Sequence, residues 1–197
     1  MPRRSAEAVA DTRAAVTDAA VDRASVEGLQ GLTIGALAGE VSMRKSSLFS
    51  LFGSKQELQL ATLDAAIRQF RDEVWGPVAD ARPGLARLLA LCDSWLAYHQ
   101  REALPGGCFL TTATVEFDAR PGVLRDAVAE TMRGWLGVLE REVALAIQAG
   151  ELPADTEAAD VAFQLNALAA AASYGFKLSR DPEVFARARR SMRRALS

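Results

Sequence analysis

Cationic and hydroxyl-bearing side chains crowd one short stretch near the amino end of the chain. No acidic residue lies between Met43 and Lys55. The candidate binding groups of this stretch are Arg44, Lys45, Ser46, Ser47, Ser50 and Lys55. Arginine binds guanine through two hydrogen bonds, and serine hydroxyls bind phosphate oxygens or either kind of base pair. The stretch therefore has the chemistry needed to bind a nucleic acid.

The residues from Thr33 to Lys55 predict two short helices that hold these groups. Thr33 is a suitable N-cap for the first helix, because its hydroxyl can accept a backbone N–H. Ser42 and Met43 form the turn, Gly53 ends the second helix, and Ser54 caps the helix that follows. The inward apolar positions, at helical spacing, are Ile34, Leu37, Ala38, Val41, Leu48, Leu51 and Phe52. This pattern predicts a helix-turn-helix, whose second helix enters the DNA major groove. A solvated basic turn in an ordinary helical protein is the alternative.

Composition indicates a globular chain whose basic surface is local. Half of the 197 residues are hydrophobic, 24% are charged, and the formal net charge is −2. The chain can bury a substantial core, as one large domain or as a small domain joined to a larger one. The mild acidity of the rest of the chain argues against a protein that coats nucleic acid along its whole surface.

Hydrophobic periodicity predicts an all-α fold of about nine helices, since no segment alternates with period two. The helices outside Thr33–Gly53 are expected at about 7–26, 55–75, 83–101, 108–118, 121–149, 156–178 and 182–196. Val9, Val16, Ala20 and Ala24 are the expected inward positions of the first helix. We predict a DNA-binding domain over residues 1–57 and a larger helical domain over residues 58–197.

Targeting and redox signals point to the cytoplasm. Cys92 and Cys108 are too few for a disulfide scaffold and suit a reducing compartment. No run of about 18 apolar residues exists, so no membrane span is expected. The basic amino terminus is followed by Glu7 and Asp11 rather than by an apolar segment, which is not the pattern of a secretion signal.

The chain resembles the tetracycline-repressor (TetR) family of bacterial transcription regulators, most clearly over about residues 12–64. The matching motifs, in order, are Thr12-Arg13, Ala19-Ala20, Gly28-Leu29-Gln30-Gly31, Leu32-Thr33-Ile34, Leu37-Ala38, Ser42 to Phe49 and Phe52 to Leu58. Several matches in a fixed order are far more specific than one turn motif. The rest of the chain resembles the family only in its helical architecture.

Three positions depart from the family pattern. Ala24 stands where an aromatic residue is common, and Ser42 stands where the turn carries glycine. Phe49 and Leu51 replace the tyrosines whose hydroxyls touch phosphate in the family. Phosphate contacts are therefore expected to depend more on Thr33, Lys45, Ser50 and Lys55, together with backbone N–H groups at helix starts. Phe49 is expected to contact a thymine methyl group or a sugar.

The resemblance implies a repressor that binds a palindromic operator as a homodimer and is released by a small, mainly hydrophobic effector. The helices at about 156–178 and 182–196 are the predicted dimer contacts; the alternative for the first is the core helix of a monomer. Trp75, Trp95, His99, Phe109, Thr112, Glu116, Trp135, Phe163, Asn166 and Tyr174 are the predicted effector-lining residues. For each aromatic residue taken singly, core packing is the alternative. No cofactor is expected.

Other kinds of site are weakly supported. Cys92 and His99 share a helix face, but with Cys108 they match no standard zinc spacing, so buried packing is favoured over metal or redox chemistry. The arginines near the carboxyl end are interpreted as a solvated face rather than a DNA contact. An all-helical enzyme that uses Glu116 and His99 is the remote alternative. A helical interaction module that has lost DNA binding is the nearer one, because Phe49 and Leu51 lack hydroxyls.

Overall fold

The computed structural model describes residues 6–197, and over that range the chain forms nine α-helices and no strand. The helices are α1 Ala6–Gly31, α2 Ile34–Glu40, α3 Lys45–Phe52, α4 Lys55–Phe70, α5 Leu85–Gln100, α6 Phe109–Phe117, α7 Val123–Gln148, α8 Ala158–Ser179 and α9 Glu183–Ala195. The prediction of an all-α fold is confirmed. The basic start of the sequence, residues 1–5, lies outside the described range, so its interpretation stays a prediction.

Two elements differ from the expected helices. The helix expected to run to about Trp75 is α-helical only to Phe70 and continues as a π-helical turn, Arg71–Trp75. A short 3-10 turn, Gly76–Val78, follows. Pro77 has no backbone N–H to donate, so regular α-helical bonding cannot continue through it. The expected inward position Val9 is 40% exposed. The first turns of α1 extend past the core, whose earliest member in the chain is Val16.

The chain divides into two compact units. Unit 1 contains the residues up to Gln69 together with Leu104–Val128, and unit 2 contains Phe70–Ala103 and Ala129–Ser197. Residues 104–128, which the sequence placed in the larger domain, therefore pack with the amino-terminal helices. The predicted boundary after residue 57 separates a DNA-binding domain from the rest of the chain. The two compact units do not test which residues bind DNA, so this boundary stays a prediction.

The core of unit 1 lies where α1, α2, α3 and the start of α4 meet. Its fully or nearly fully buried members are Val16, Ala20, Leu32, Leu37, Ala38, Leu48, Phe52 and Leu58. Arg13 adds a polar contact at the edge of this core: its guanidinium donates to the carbonyl oxygen of Leu51 at 2.5 Å and lies 4.5 Å from the Phe52 ring centroid. Cations are stabilised at the carboxyl end of a helix, so Arg13 holds the end of α3 onto α1.

The end of α1 is fixed by side chains from two other helices. The Glu116 carboxylate of α6 accepts the backbone N–H groups of Leu29 and Gln30, each at 2.8 Å. Gln59 of α4, which is 3% exposed, donates to the Leu29 carbonyl at 2.6 Å. Lys55 donates to the Gln30 carbonyl at 2.6 Å. We call these four hydrogen bonds the α1-end junction; they supply partners for backbone groups that a helix end leaves without any.

Two glycines allow helices to approach closely around this junction. Gly28 has φ of 77° and ψ of 161°, which breaks the helical geometry of α1, and a Cβ there would lie 2.7 Å from a Glu116 carboxylate oxygen. Gly106 donates its N–H to the Ser25 hydroxyl at 2.9 Å. A Cβ on Gly106 would lie 1.8 Å from the Ser25 carbonyl oxygen, so no other residue fits there without moving the loop.

Unit 2 is built on packing of α5 against α8 and α9 and of α8 against α9. A buried ion pair supports the start of α5: the fully buried Glu142 accepts the Gly84 N–H at 3.0 Å and pairs with Arg87 at 3.1 Å. Arg87 also donates to the carbonyl oxygens of Ala79 and Ala81. Each charged group therefore has several partners, which a buried ion pair requires if it is to be tolerated.

Within the described residues, no helix is both long enough and apolar enough to cross a lipid bilayer.

We predict that Gly28→Ala lowers the free energy of unfolding by about 1–3 kcal/mol, because glycine alone readily adopts its backbone conformation. The added methyl group would also displace Glu116 from the α1-end junction. Gly39→Ala is the matched control, since a Cβ at Gly39 meets no atom within 4 Å. Urea unfolding followed by far-UV circular dichroism measures both variants. Equal stability of the two variants would contradict the structural role given to Gly28.

Candidate nucleic-acid interface

Helices α2 and α3 form the expected helix-turn-helix. The Thr33 hydroxyl accepts the Ala36 N–H at 3.2 Å, which confirms the predicted N-cap of α2. The turn closes through a hydrogen bond from the Met43 N–H to the Ala38 carbonyl at 2.9 Å. Ser42 has φ of 53° in this turn, so it adopts the left-handed conformation that glycine adopts more easily. Gly53, with φ of 76°, ends α3 as expected.

One face of α3 is buried and the other is open to solvent. Leu48 and Phe52 are buried, and Leu51 is half-buried. The exposed residues at the start and along the outer face of α3 are Arg44, Lys45, Ser46, Ser47, Phe49 and Ser50. This arrangement turns the cations and hydroxyls outward, as contact with a DNA groove requires. Their assignment as DNA contacts stays a prediction.

The start of α3 adds a favourable electrostatic site for phosphate. The side chain of Arg44, the N-cap residue, makes no capping hydrogen bond to the described backbone of α3. The first backbone N–H groups of a helix carry partial positive charge and bind anions readily. Arg44 and Lys45 place two cationic side chains at the same point. The backbone N–H groups and the two side chains are therefore all positive at the start of α3, which favours binding of a negatively charged phosphate.

The other predicted DNA contacts have partners within unit 1. Lys55 is exposed, but its ammonium group donates to the Gln30 carbonyl in the α1-end junction. The Ser50 hydroxyl donates to the Ser46 carbonyl at 2.9 Å, which leaves its oxygen as an acceptor only. Lys45 is therefore a cleaner probe of phosphate binding than Lys55, whose replacement would also remove a structural hydrogen bond.

Phe49 is unusual because it presents a large apolar side chain to solvent on the outer face of α3. Its exposed fraction is 58%. Burying a phenylalanine fully contributes about 1.5–3 kcal/mol relative to leaving it exposed. An apolar contact with a thymine methyl group or a deoxyribose would recover part of that free energy.

The predicted effector-lining residues fall into three groups. Trp95, His99 and Trp135 lie together in unit 2: the Trp95 and Trp135 ring centroids are 4.8 Å apart, and those of Trp95 and His99 are 6.5 Å apart. Phe70 and Tyr98, which were not among the predicted lining residues, join this cluster through edge-to-face contacts. We call these five residues the aromatic cluster. The sequence signal for Tyr98 was its position three residues after Trp95 on the same helix; Phe70 lies on α4, so no spacing in the sequence connects it with Trp95 or Trp135.

Three predicted lining residues belong to other surroundings. Glu116 uses both carboxylate oxygens in the α1-end junction of unit 1. Phe163 and Tyr174 are 68% and 60% exposed on α8, so within one chain they line no enclosed site among the described residues. One apolar stripe of α8 faces out of the chain, so the prediction that this helix forms a dimer contact stays open.

The remaining four predicted lining residues are scattered. Phe109 is buried in unit 1, and Thr112 on the same helix is half-buried. Trp75 is half-buried in unit 2, where the Arg87 guanidinium lies 5.5 Å from its ring centroid. Asn166 is half-buried on α8.

Burial shifts the pKa values of the two thiols and of the imidazole that were considered for metal or enzyme chemistry. Burial raises the pKa of Cys92 to about 12 and raises the pKa of Cys108, so both thiols are poor nucleophiles at neutral pH. Burial lowers the pKa of His99 to about 4, so its imidazole is neutral at pH 7. Among residues 6–197, no group of three or more His, Cys, Asp or Glu side chains has the geometry to hold a metal ion.

The arginines of α9 mostly form ion pairs within unit 2. Arg189 and Arg193 pair with Asp93 of α5 at 2.6 and 3.5 Å. Arg190 pairs with Glu183 in its own helix at 3.0 Å. These surface pairs each contribute about 0–1 kcal/mol.

An all-α fold with an amino-terminal helix-turn-helix defines a class of helical DNA-binding proteins. Residues 84–192, more than half of the chain, match the family model described as "Tetracyclin repressor-like, C-terminal domain". The chain belongs to the TetR family of transcription regulators. A comparison with curated protein sequences gave no match.

Solved structures of family members share the fold. A TetR transcriptional regulator from Chloroflexus aurantiacus J-10-FL is 23% identical with a TM-score of 0.86, and the alignment covers 93% of each chain. CifR, solved with a 26-base-pair operator DNA, is 23% identical with a TM-score of 0.79 and 98% of each chain covered. AibR, solved with isovaleryl coenzyme A and operator DNA, is 19% identical with a TM-score of 0.66; 82% of this chain and 86% of AibR are covered.

We predict that acidification destabilises the protein through His99. In the unfolded chain His99 has its ordinary pKa of about 6.5 and binds a proton below that pH. In the folded chain the pKa of His99 is about 4, so the imidazole stays neutral until the pH falls to that value. The free energy of unfolding therefore falls by about 3 kcal/mol across this window because of His99 alone. Urea unfolding at several pH values tests this. His99→Gln, which cannot titrate, should show a shallower pH dependence even if its stability at pH 7 is lower, and an unchanged dependence would contradict the prediction.

Proposed function

We propose that the protein is a transcriptional repressor that binds a palindromic operator as a homodimer and releases it when a small, mainly hydrophobic effector binds. The observation that carries this proposal is the exposed cationic and hydroxyl-bearing face of α3, which stands on a buried core. Family membership and the operator complexes of CifR and AibR support it. The DNA-contacting groups would be Thr33, Arg44, Lys45, Ser46, Ser47, Phe49, Ser50 and Lys55.

Within this proposal, the exposed groups divide the work of binding. Arg44 precedes the first turn of α3, where recognition helices contact base edges, so it would read a guanine. Lys45 and the uncapped start of α3 would hold phosphates and fix the register of the helix in the groove. Phe49, farther along the same face, would add an apolar contact. These roles predict different responses to DNA sequence and to salt.

The proposed homodimer is supported by an apolar stripe on α8. Phe163, Ala167, Tyr174 and Leu178 are exposed and lie at helical spacing along one side of the helix. Leu178 alone is 90% exposed. A contiguous apolar surface of this kind marks a contact with another molecule. Pairing with the same surface of a second copy is the simplest closed arrangement, because a two-fold interface is self-complementary.

A two-fold dimer gives the operator its proposed symmetry. Helix-turn-helix dimers bind two half-sites about 34–36 Å apart, so the DNA site mirrors the protein axis. The effector would act by favouring a conformation in which the two α3 helices no longer match that spacing. The size of the shift is limited by the difference in effector affinity between the two conformations. Because the partner is genomic DNA, the proposed site of action is the cytoplasm.

We predict that duplexes selected by the purified protein from a random pool contain a palindrome, and that binding to it weakens steeply with salt. Arg44→Ala should relax base preference at one position of each half-site by about 1–3 kcal/mol. Lys45→Ala should weaken binding to all sequences. It should also reduce the slope of log affinity against log salt by about one for every phosphate that Lys45 no longer neutralises. Fluorescence anisotropy at several salt concentrations measures both effects.

Arg133→Ala is the matched control for these variants, since Arg133 is an exposed arginine in unit 2. It should leave affinity and salt slope unchanged. Failure to select any duplex, or a salt response that is flat, would overturn the DNA-binding proposal. That result would instead favour a helical interaction module in which Phe49 contacts a protein.

We predict that Phe163→Glu separates the dimer into single chains, because a carboxylate in an apolar interface must be desolvated without a partner. Sedimentation equilibrium measures the mass directly. Val115→Glu is the matched control: Val115 is 70% exposed, like Phe163 at 68%, but it lies on α6 of unit 1. The control should remain dimeric. A wild-type protein that sediments as one chain, or a Phe163→Glu variant that stays dimeric, would count against the α8 interface.

A further inference from the structure

Three nitrogen atoms in the aromatic cluster are buried without a hydrogen-bond partner among the described residues. They are the indole nitrogens of Trp95 and Trp135 and Nε2 of His99. Trp95 and His99 are each only 4% exposed. A buried donor without a partner costs about 1–3 kcal/mol, and native proteins rarely leave one in this state. Three such atoms among neighbouring rings make the cluster the place in unit 2 where the polar atoms of another molecule would find partners.

The rings around these atoms meet edge to face. Phe70 makes edge-to-face contacts with Trp95, Tyr98 and Trp135, at centroid distances of 6.0, 5.5 and 5.1 Å. Trp95 and Trp135 meet at an interplanar angle of 86°. Aromatic pairs favour this geometry, so a further ring would find both ring faces and ring edges to contact. Trp135 is half-buried, which places the edge of the cluster near solvent.

The charge around the cluster favours an uncharged ligand. The Arg101 guanidinium lies 5.3 Å from the Tyr98 ring centroid, but it is paired with Glu73. Arg87, beside Trp75, is paired with the buried Glu142. Of the three residues with unpartnered nitrogens, His99 alone titrates, and burial lowers its pKa to about 4, so it contributes no positive charge at pH 7. A buried carboxylate would therefore gain little here to offset its desolvation.

We propose that the aromatic cluster binds an uncharged aromatic molecule whose carbonyl oxygen accepts the indole N–H groups of Trp95 and Trp135. This inference rests on the proposed function, because such a molecule would be the effector. A carbonyl oxygen has two lone pairs and can accept two donors at once. The remaining nitrogen, Nε2 of the neutral His99, exchanges a hydrogen bond with a second polar atom of the ligand.

Weak ring contacts or a buried water would satisfy the three nitrogens differently. Each indole N–H could point at the face of a neighbouring ring, which is a weak hydrogen bond. An ordered water could bridge the three atoms, as buried waters often do. In both cases a ketone would bind no better than a hydrocarbon of the same shape, because its carbonyl oxygen would accept no new hydrogen bond from the indoles.

The test compares three probes of nearly equal shape: 2-acetylnaphthalene, 2-naphthoate and 2-ethylnaphthalene. Only the first is uncharged and carries a carbonyl oxygen. Isothermal titration calorimetry with the wild-type protein should give the tightest binding for the ketone, by roughly tenfold over the hydrocarbon, which corresponds to about one net hydrogen bond. Nitrogen-15 spectra of the three tryptophan indoles should show downfield shifts of the Trp95 and Trp135 protons on addition of the ketone.

Conservative variants show whether the indole nitrogens act directly. Trp95→Phe and Trp135→Phe keep an aromatic ring and remove the N–H, so each should cancel most of the ketone's advantage while leaving hydrocarbon affinity nearly unchanged. Trp75→Phe is the matched control, because Trp75 packs against Arg87 outside the cluster. A ketone that fails to bind, or that binds no better than 2-ethylnaphthalene or 2-naphthoate, overturns the proposal. So does an advantage that survives both cluster variants.

The outcome is independent of the DNA-binding experiment. If the ketone binds through the indoles but no operator is selected, the proposed function fails and the binding site stands. If an operator is selected and the ketone shows no advantage over the hydrocarbon, the site proposal fails and the regulator stands. Failure of bound ketone to change operator affinity would remove the effector role from the site.

Discussion

The hydrogen bonds at the carboxyl end of α1 are the constraint on which the rest of unit 1 depends. A helix end that is buried leaves backbone groups in need of partners, and here Glu116, Gln59 and Lys55 provide them. Because these side chains come from α6 and α4, satisfying one helix end fixes three helices together. Helices α2 and α3 pack on the core that those helices frame, so the orientation of the recognition face depends on the junction.

This constraint explains why small residues surround the junction. Glu116 can reach the Leu29 and Gln30 N–H groups only because Gly28 has no side chain in the way. The loop after α5 can approach α1 only because Gly106 presents no Cβ to the Ser25 carbonyl. Both positions follow from a single requirement, which is close approach of α6 and its preceding loop to the end of α1. The sequence contains these glycines, but their partners lie more than 80 residues away and cannot be inferred from spacing.

Local patterns predicted the helix-turn-helix because its determinants are local. Thr33 as a cap, Gly53 as a terminator and the apolar spacing from Leu37 to Phe52 each act within one or two helical turns. The aromatic cluster was predicted only in part, since Trp95 and His99 share one helix while Phe70 and Trp135 come from others. Glu116 was assigned to an effector site because a carboxylate on an apolar helix is unusual. The carboxylate does have a specific role, but its partners are the Leu29 and Gln30 N–H groups at the end of α1, not an effector.

The apolar character of α8 shows a second limit of sequence reasoning. Period and composition indicate that a helix has more than one apolar side, but not whether the second side packs within the chain or against another molecule. Here Phe163 and Leu178 face outward, while Val161 and Leu165 face the core. The proposed dimer contact therefore uses the outward side of α8, while its other side packs within unit 2.

The distribution of the larger aromatic residues makes the two units optically distinct. All three tryptophans, Trp75, Trp95 and Trp135, and both tyrosines, Tyr98 and Tyr174, belong to unit 2. Unit 1 contains neither residue type, so it contributes almost nothing to ultraviolet emission. Intrinsic fluorescence will thus follow unit 2 alone, whereas far-ultraviolet circular dichroism will follow the helices of both. Non-coincident transitions by the two methods would reveal melting of the recognition unit while its neighbour is still folded.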